Sequence, residues 1–376
     1  MDDTLDAVRA LVPEIVGRGD EIEQARRIPT DLVEALVEAG CFRSLVPRSH
    51  GGSEVGVPDH LQMLSELAAA DGSVGWTAMI GCLAPLILGF LPRPTFDAMY
   101  AAGPDVIVAG TFNPKGVATP VDGGFRVSGQ WPFASGCQHA DWIIAHCFVD
   151  DGRQPPLRMM VLPPDEVEIK DTWWVSGLCG TGSHDFLVDG AFVPDDHSFS
   201  ILEPQPGVEG PLWRIPELSS TTLMTAAVAV GIAQGALDDI VALATDKVPA
   251  FTDSTLATNP LFQNQLGEAD ATLRAVEAAL DAEAEEAWAV GTTGSPFSDE
   301  HRARVRGTTT WVTRTAASIV DVAYSAGGGS SLYASNPLQR RLRDVRALTQ
   351  HFSMKPDVFT LVGAVLTGQA ADTSFL

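Results

Sequence analysis

The sequence predicts an α+β protein in which a β domain lies between two helical units. Three observations support this: helical spacing of apolar residues before about residue 99, short runs rich in Val, Ile, Phe and Trp between residues 105 and 200, and long Ala-rich segments from about residue 218. We expect domains over residues 1–104, 105–205 and 206–376. A chain of 376 residues, 45% of them hydrophobic, can bury the large core that such an architecture needs.

Each unit has its own signals. In the first, the run IPTDLVEALVEAG predicts a helix that Thr30 or Asp31 caps and Gly40 ends. In the second, the strand-like runs are VIVAGTF, GFRVSGQW, WIIAHCFV and DFLVDGAFVP. In the third, three long segments have the apolar spacing of packed helices: TTLMTAAVAVGIAQGALDDIVALA, ATLRAVEAALDAEAEEAWAV and TTTWVTRTAASIVDVAYSAG.

Charge and composition exclude several classes of function. The net charge of −24, without a basic cluster, argues against nucleic acid as a partner. The N-terminus MDDTLDAVRA has acidic residues where a signal peptide needs basic ones, and the apolar stretch near residues 83–91 is too short to span a bilayer. Five scattered cysteines without a CxxC pair indicate neither a disulfide framework nor a metal site. We therefore expect a cytoplasmic protein with no membrane partner.

The run WWVSGLCGTGSHDF, residues 173–186, is the first candidate binding segment. It lacks a GK[ST] ending and no long helix follows it, so neither common nucleotide loop is present. Its glycines either let the backbone and the Ser183 hydroxyl approach a flat ligand or only form a turn.

The run GQWPFASGCQHADW, residues 129–142, is the second. Phe133 and two tryptophans offer broad apolar faces beside the Ser135 hydroxyl. This composition is typical of a site for an aromatic ring system, and also of an ordinary sheet with aromatic packing.

The run LQRRLRDVRALTQHFSM, residues 338–354, is the third. If it is one helix, Arg340, Asp344, Leu348 and His351 share a face. His351 then either meets a buried site or is a packed helix residue. No GxSxG elbow, catalytic-cysteine signature or kinase motif set is present, which disfavours hydrolase and phosphotransfer chemistry.

Taken together, these segments resemble the acyl-CoA dehydrogenase superfamily over nearly the whole chain. The landmarks are GCFRSLVPRSHGG, DGSVGW, VDGAFVP, AAVAVGIAQGALD and NPLQRRLRD. The resemblance implies an acyl-CoA dehydrogenase-like fold: an N-terminal helical domain, a middle β barrel and a C-terminal four-helix bundle. It also implies a flavin between the β domain and the bundle, and a homo-oligomer, usually a tetramer.

The carboxylate base of the dehydrogenases is not found at either position that the family uses. Ser335 stands at one and Thr221 near the other, and Gln350-His351-Phe352-Ser353 replaces the Glu-Gly-Thr tripeptide. Abstraction of an α-proton from an acyl thioester needs that base. The chain instead is similar to the two-component flavin-dependent monooxygenases of the superfamily.

This branch implies specific site residues. The histidine that faces the flavin matches His351, and the serine of a W-x-F-x-S-G run beside the flavin ring matches Ser135 in WPFASG. These two are the candidate catalytic residues. The same comparison implies cofactor contacts from six residues: Asn113, Phe133, Ala134, Ser135, Trp174 and Ser183.

The implied function is oxygenation of a small aromatic or heterocyclic substrate by O₂ through a C4a-hydroperoxyflavin. The cofactor is reduced FMN or FAD from a separate NAD(P)H:flavin reductase. Two features depart from the patterns of these relatives. Leu83 stands near the position where phenol hydroxylases carry a second histidine, and the arginine that dehydrogenases use near the FAD pyrophosphate is not evident. An acyl-CoA dehydrogenase with an unrecognised base and a non-catalytic relative stay as alternatives.

Overall fold

The computed structural model describes residues 2–149, 156–200 and 205–369. Its element order confirms the predicted succession of helices, strands and helices. The ends of the first and last predicted domains, residue 1 and residues 370–376, lie outside the described residues. The α-helices among the described residues of the first unit are α1 (Asp2–Gly17), α2 (Gly19–Ala25), α3 (Thr30–Glu38), α4 (Val57–Ala70), α5 (Gly72–Gly81), α6 (Ala84–Leu88) and α7 (Arg93–Met99).

The ends of α3 and α5 show how sequence signals act locally. The predicted cap of α3 is wrong, because Pro29 holds the N-cap position and makes no side-chain bond, while Thr30 is already helical. The predicted end is close, since Gly40 lies just beyond the helix with a left-handed φ of 81°. Asp71 ends α4 and caps α5, where its carboxylate accepts hydrogen bonds from the backbone of Ser73 and Val74. This cap fixes the direction in which α5 leaves α4.

The described residues of the middle unit form a seven-stranded sheet in the order β5-β6-β2-β1-β3-β4-β7. Its strands are β1 (Val108–Val121), β2 (Gly124–Ala134), β3 (Trp142–Val149), β4 (Leu157–Leu162), β5 (Glu168–Lys170), β6 (His184–Pro194) and β7 (Ser198–Phe199). The β1–β3 pair is parallel and the other pairs are antiparallel. The barrel implied by the resemblance is not seen: among the described residues no ladder joins the very short edge strands β5 and β7.

The two faces of the sheet belong to different cores. Ala145, Cys147 and Met160 help to form a cluster within the β domain, which also contains the fully buried Trp131 stacked on Phe186. The alternating residues of the other face, such as Ile144, Met159 and Val161, join the main core with the helices. The sheet is therefore covered by helices on one face.

The last unit contains α8 (Glu217–Asp246), α9 (Pro260–Thr293), α10 (Asp299–Gly327), α11 (Pro337–Leu348) and α12 (Val358–Leu366). Helix α8 packs against α4, α5, α9, α10 and α11. It is the one helix in the described chain long and apolar enough to cross a membrane, yet 67% of its most apolar window is buried inside the protein. The longest apolar stretch is thus this core helix and not the segment near residues 83–91.

Candidate active site

The end of strand β2 has an irregular backbone. The register with β6 shifts between Trp131 and Ala134, and Phe133 between them has a φ of 70°. A positive φ in a bulky residue is strained, and such strain tends to persist at functional sites. Phe133 is 59% exposed, whereas Ala134 is fully buried. The strand end therefore displays an aromatic ring and turns the next residue, Ser135, inward.

Ser135 begins a buried row of hydroxyl groups. Its Oγ accepts a hydrogen bond from Trp76 Nε1 (3.0 Å) and lies 2.6 Å from Ser183 Oγ, which lies 2.6 Å from Thr181 Oγ1. Thr181 donates to the carbonyl of Leu178 at 2.7 Å. An indole N–H can only donate and a carbonyl can only accept, so each hydroxyl must donate to the next one along the row. The proton of Ser135 thus points toward Ser183.

The loop that carries Thr181 and Ser183 is attached to helix α11 of the last unit. The backbone N–H of Leu178 donates to the buried Asp344 of α11 at 2.6 Å, and Arg343 donates to the carbonyl of Ser176. Burial and the nearby Asp71 raise the pKa of Asp344. These contacts hold the loop against α11 where the two domains meet.

The two tryptophans at the start of this loop have different surroundings. Trp174 is 71% exposed, and the guanidinium of Arg26 lies 3.6 Å from the centre of its ring. Trp173 instead packs edge-on against Phe133, with ring centroids 6.2 Å apart, and its indole N–H donates to Leu178. Trp173 is not among the residues predicted from the sequence, although it lies in the first candidate segment, residues 173–186.

His351 does not lie on α11. The helix ends at Leu348, so the predicted helical face that includes His351 is wrong, and the imidazole belongs to the turn before a short 3-10 segment. Its Nδ1 lies 2.7 Å from Ser353 Oγ, and its ring packs edge-on against Trp76 at a centroid distance of 5.3 Å. Trp76 therefore contacts both predicted catalytic residues, His351 through its ring and Ser135 through its N–H.

The electrostatic environment keeps His351 neutral. Burial and the nearby positive charge of Arg306 lower the pKa of the imidazole to about 4. Arg306, on α10, donates to the carbonyl of Ser353 and has its own pKa lowered to about 10 by burial. At neutral pH the imidazole is therefore a proton acceptor. An ordinary histidine titrates near neutrality, but the surroundings of His351 lower its pKa well below that range.

The remaining predicted residue, Asn113, lies in β1 where the register with β3 shifts between Thr111 and Gly116. Its side chain is exposed and its backbone N–H donates to Thr111 Oγ1. The adjacent carbonyl of Phe112 lies 2.8 Å from His146 Nδ1. We call the region bounded by Trp76, Ser135 and His351 the candidate pocket.

Comparisons with known proteins identify the family. Acyl-CoA dehydrogenase models match this chain, the N-terminal domain over residues 2–90 and the C-terminal domain over residues 223–356. An indole-3-acetate monooxygenase from Pseudomonas putida is 32% identical over 93% of this chain and 90% of its own length. The chain belongs to the flavin-dependent monooxygenases of the acyl-CoA dehydrogenase family.

Two further members of the monooxygenase family support this. The oxygenase component of an FADH₂-dependent resorcinol hydroxylase from a Rhizobium species is 30% identical over 93% of this chain and 90% of its own length. The crystal structure of 3-HSA hydroxylase from Rhodococcus sp. RHA1 superimposes with a TM-score of 0.93 at 29% identity and covers 100% of both chains. The fold and the family are thus shared over the full length of the chain.

The residues present fit the flavin that members of this monooxygenase family use. Phe133 and Trp174 expose large apolar rings, 59% and 71% accessible, although Trp173 packs against the first and Arg26 lies over the second. A row of buried hydroxyl groups and a neutral imidazole lie next to the strained strand end. Broad aromatic faces with a few fixed polar groups are the usual composition of a site for a flat heteroaromatic ligand.

Proposed function

We propose that this chain is the oxygenase component of a two-component monooxygenase. It receives reduced FMN or FAD from a separate NAD(P)H:flavin reductase and transfers one atom of O₂ to an aromatic or heteroaromatic substrate, while the other atom leaves as water. The observation that carries the proposal is that Trp76 joins Ser135 and His351, the serine and histidine of this branch, in one buried contact. The names of the relatives, an indole-3-acetate monooxygenase and a resorcinol hydroxylase component, support the aromatic substrate.

The flavin contacts are part of the proposal. Phe133, Ala134 and Trp174 would lie along the ring system, with Asn113 and the Ser183 hydroxyl nearby. When bound, a reduced flavin supplies the two electrons and the carbon that reacts with O₂. We further propose that the protein is a cytoplasmic homo-oligomer, a tetramer. In this assembly the helices α8 to α11 form the four-helix bundle through which the subunits associate. The sheet corresponds to the β barrel of the family but is not closed among the described residues.

The chain's own residues have three tasks in this reaction. Ser135 presents an oxygen whose hydrogen-bond direction is set by Trp76 and Ser183. His351, neutral at pH 7, accepts a proton from the substrate or from the reacting oxygen and returns it later. The buried ring of Trp76, 6% exposed, excludes water from the space between them.

The experiment is to mix the protein with reduced FMN, and separately with reduced FAD, and then with O₂ in a stopped-flow spectrometer. We expect a transient absorbance distinct from both reduced and oxidised flavin, formed before substrate is added. Reoxidation without a transient, together with reduction of the oxidised flavin by an acyl-CoA, would contradict the proposal. Light scattering tests the assembly, and a monomer of about 40 kDa would contradict the proposed tetramer.

A further inference from the structure

A buried carboxylate on helix α11 holds the loop that precedes β6. Asp344 is 2% exposed, and its Oδ1 accepts the backbone N–H of Leu178 at 2.6 Å. Leu178 has a φ of 52°, in the left-handed region that few side chains adopt. The loop also lies directly on the helix, because an added Cβ on Gly177 would collide with the carbonyl oxygen of Arg343. A hydrogen bond to an ionised carboxylate is among the strong ones, so Asp344 anchors the backbone at Leu178.

The carbonyl group of Leu178 ends the row of hydroxyl groups. It accepts the Thr181 hydroxyl at 2.7 Å, the Thr181 backbone N–H at 3.2 Å and the Trp173 indole N–H at 3.1 Å. Because Thr181 donates to this carbonyl, its oxygen accepts from Ser183, whose oxygen in turn accepts from Ser135. The direction of every hydroxyl in the row therefore depends on the position of this one carbonyl group.

Asp344 also contacts the helix that carries the opposite end of the row. Its carboxylate lies against Gly72, the first residue of α5, where an added Cβ would be 3.1 Å from Asp344 Oδ2. Trp76, about one turn further along α5, donates to Ser135 at 3.0 Å. A negative charge beside the N-terminus of a helix stabilises that helix. One side chain thus contacts both the loop and α5, the two elements that the row connects.

The bond to the loop is the main polar contact of this carboxylate. Among the described residues, Leu178 is the one hydrogen-bond partner of Asp344. The arginines of α11 instead form ion pairs with other carboxylates: Asp20, Asp239, Glu23 and Asp321. Burial of a carboxylate costs free energy unless polar partners compensate for it. The position of Asp344 is therefore explained by the backbone that it holds and not by an ion pair.

We propose that Asp344 is a positioning residue: through the Leu178 carbonyl it sets the orientation of the hydroxyl row, and so the direction of the Ser135 hydroxyl. It acts on the candidate pocket from a distance, through hydrogen bonds in series. The inference rests on the proposed function for its consequence, since Ser135 is there the hydroxyl beside the flavin ring.

Two indole N–H groups report on the two ends of the row in the flavin-free protein. Trp173 donates to the Leu178 carbonyl at one end, and Trp76 donates to Ser135 at the other. Trp131, whose N–H is bonded inside the β-domain cluster, is the reference. NMR spectra of tryptophan-labelled protein resolve these N–H signals, and the corresponding phenylalanine variants assign them.

The coupling between the ends of the row is the expected result. Asp344→Ala should shift the signals of both Trp173 and Trp76, and should speed exchange of the Trp76 N–H with solvent roughly 5- to 10-fold. Trp131 should keep its exchange rate, which excludes a general loss of stability. Asp344→Asn, whose amide oxygen still accepts, should keep the wild-type signals. Thr181→Val interrupts the row directly and should also shift the Trp76 signal.

Two further variants complete the set. Asp239→Ala is the matched control, because it removes another aspartate that holds α11, bonded to Arg341 at 3.0 Å, and should leave the signals of Trp76 and Trp173 unchanged. Asp344→Glu keeps the charge but displaces the acceptor by one methylene group, so it should shift the Trp76 signal. It replaces the alanine variant if that protein does not fold, which thermal midpoints show.

Three results would overturn the inference. In the first, Asp344→Ala or Asp344→Glu moves the Trp173 signal alone or neither signal, so that Asp344 holds the loop without setting the row. In the second, Thr181→Val leaves the Trp76 signal in place, so that the row does not couple its ends. In the third, the asparagine and alanine variants shift the signals equally, so that the acceptor has no part in the effect.

These outcomes are separate from those of the proposed function, because the spectra contain no flavin. A wild type with coupled signals but no flavin transient with O₂ would keep the positioning role and contradict the monooxygenase. Where the transient forms, Asp344→Ala should shorten its lifetime roughly 10-fold, and adding Thr181→Val should shorten it no further, because both substitutions break one row. An unchanged lifetime in Asp344→Ala would overturn the role of Asp344 in the reaction.

Discussion

On the β-domain side of the candidate pocket, the hydroxyls of Ser135, Ser183 and Thr181 each have partners in one continuous row. On the helical side, Arg306 Nε and Thr310 Oγ1 are buried without a partner among the described residues, and burial lowers the pKa of His351. Buried polar atoms without partners cost about 1–3 kcal/mol each. The hydroxyl row is fully paired, whereas the helical side beside His351 keeps buried polar atoms without a hydrogen-bond partner.

This difference suggests that the two sides of the candidate pocket have different functions. A fully paired row keeps its geometry whether or not a ligand is present, which suits a group that must hold a cofactor in one orientation. Desolvated groups with free hydrogen-bonding capacity gain most when a ligand arrives, which suits substrate binding and proton transfer. Trp76 belongs to both sides, since its N–H ends the hydroxyl row and its ring contacts His351.

The largest expected effect comes from the helical side. His351→Ala should lower oxygenation by roughly 10²- to 10⁴-fold, the scale for loss of a positioned proton-transfer group, while flavin binding stays nearly intact. Because the imidazole pKa is about 4, the wild-type rate should fall only as the pH drops toward that value, and the mutant should lack this limb. Single-turnover rates and thermal midpoints on one preparation measure both. A destabilised variant with undiminished chemistry would make His351 a packing residue.

The sequence predicted this part of the site because the serine and the histidine each occur in a recognisable run. Trp76 was visible only as a landmark in DGSVGW, since its partners Ser135 and His351 are distant in the chain and only the fold brings them together.

The errors of the sequence analysis have the same origin. The spacing through Leu348 also fits a helix that continues to His351, but the helix ends before Thr349. The turn that follows it therefore determines the direction of the imidazole. The strand runs were found, yet closure of a sheet depends on pairing of its edges, and here β5 and β7 have only three and two residues. Local pattern predicted the elements, and long-range contacts decided their ends.

A second prediction tests whether the hydroxyl row needs its terminal donor. Trp76→Phe keeps an aromatic ring against His351 and removes the N–H that Ser135 accepts. We expect a loss of stability of about 1 kcal/mol and a roughly 10-fold shorter lifetime of the flavin transient, because the Ser135 oxygen then loses the donor that fixes it on one side and keeps only its bond to Ser183. Trp213→Phe is the matched control, since its N–H donates to the carbonyl of Pro85 away from the pocket. Equal lifetimes in the two variants would show that Trp76 is structural only.

The smallest effect on rate, and the sharpest test of the helical side, is expected from Arg306. Its positive charge is the second cause of the low pKa of His351, after burial, so Arg306→Met should raise that pKa from about 4 toward the ordinary 6.5. Turnover at pH 8 should change little, because the imidazole is neutral there in both proteins, but the acid limb should move to higher pH.

Stability should respond with a definite sign. Between pH 4 and 6.5, the approximate folded and unfolded pKa values of His351, the unfolded chain binds a proton that the folded protein does not. The free energy of unfolding therefore rises with pH across this range. Arg306→Met raises the folded pKa, so the lower limit of the range moves to higher pH. Arg306→Lys, which keeps the charge, should leave the limb in place. If the methionine and lysine variants share the wild-type limb, burial alone sets the protonation of His351 and the charge of Arg306 serves only to hold Ser353.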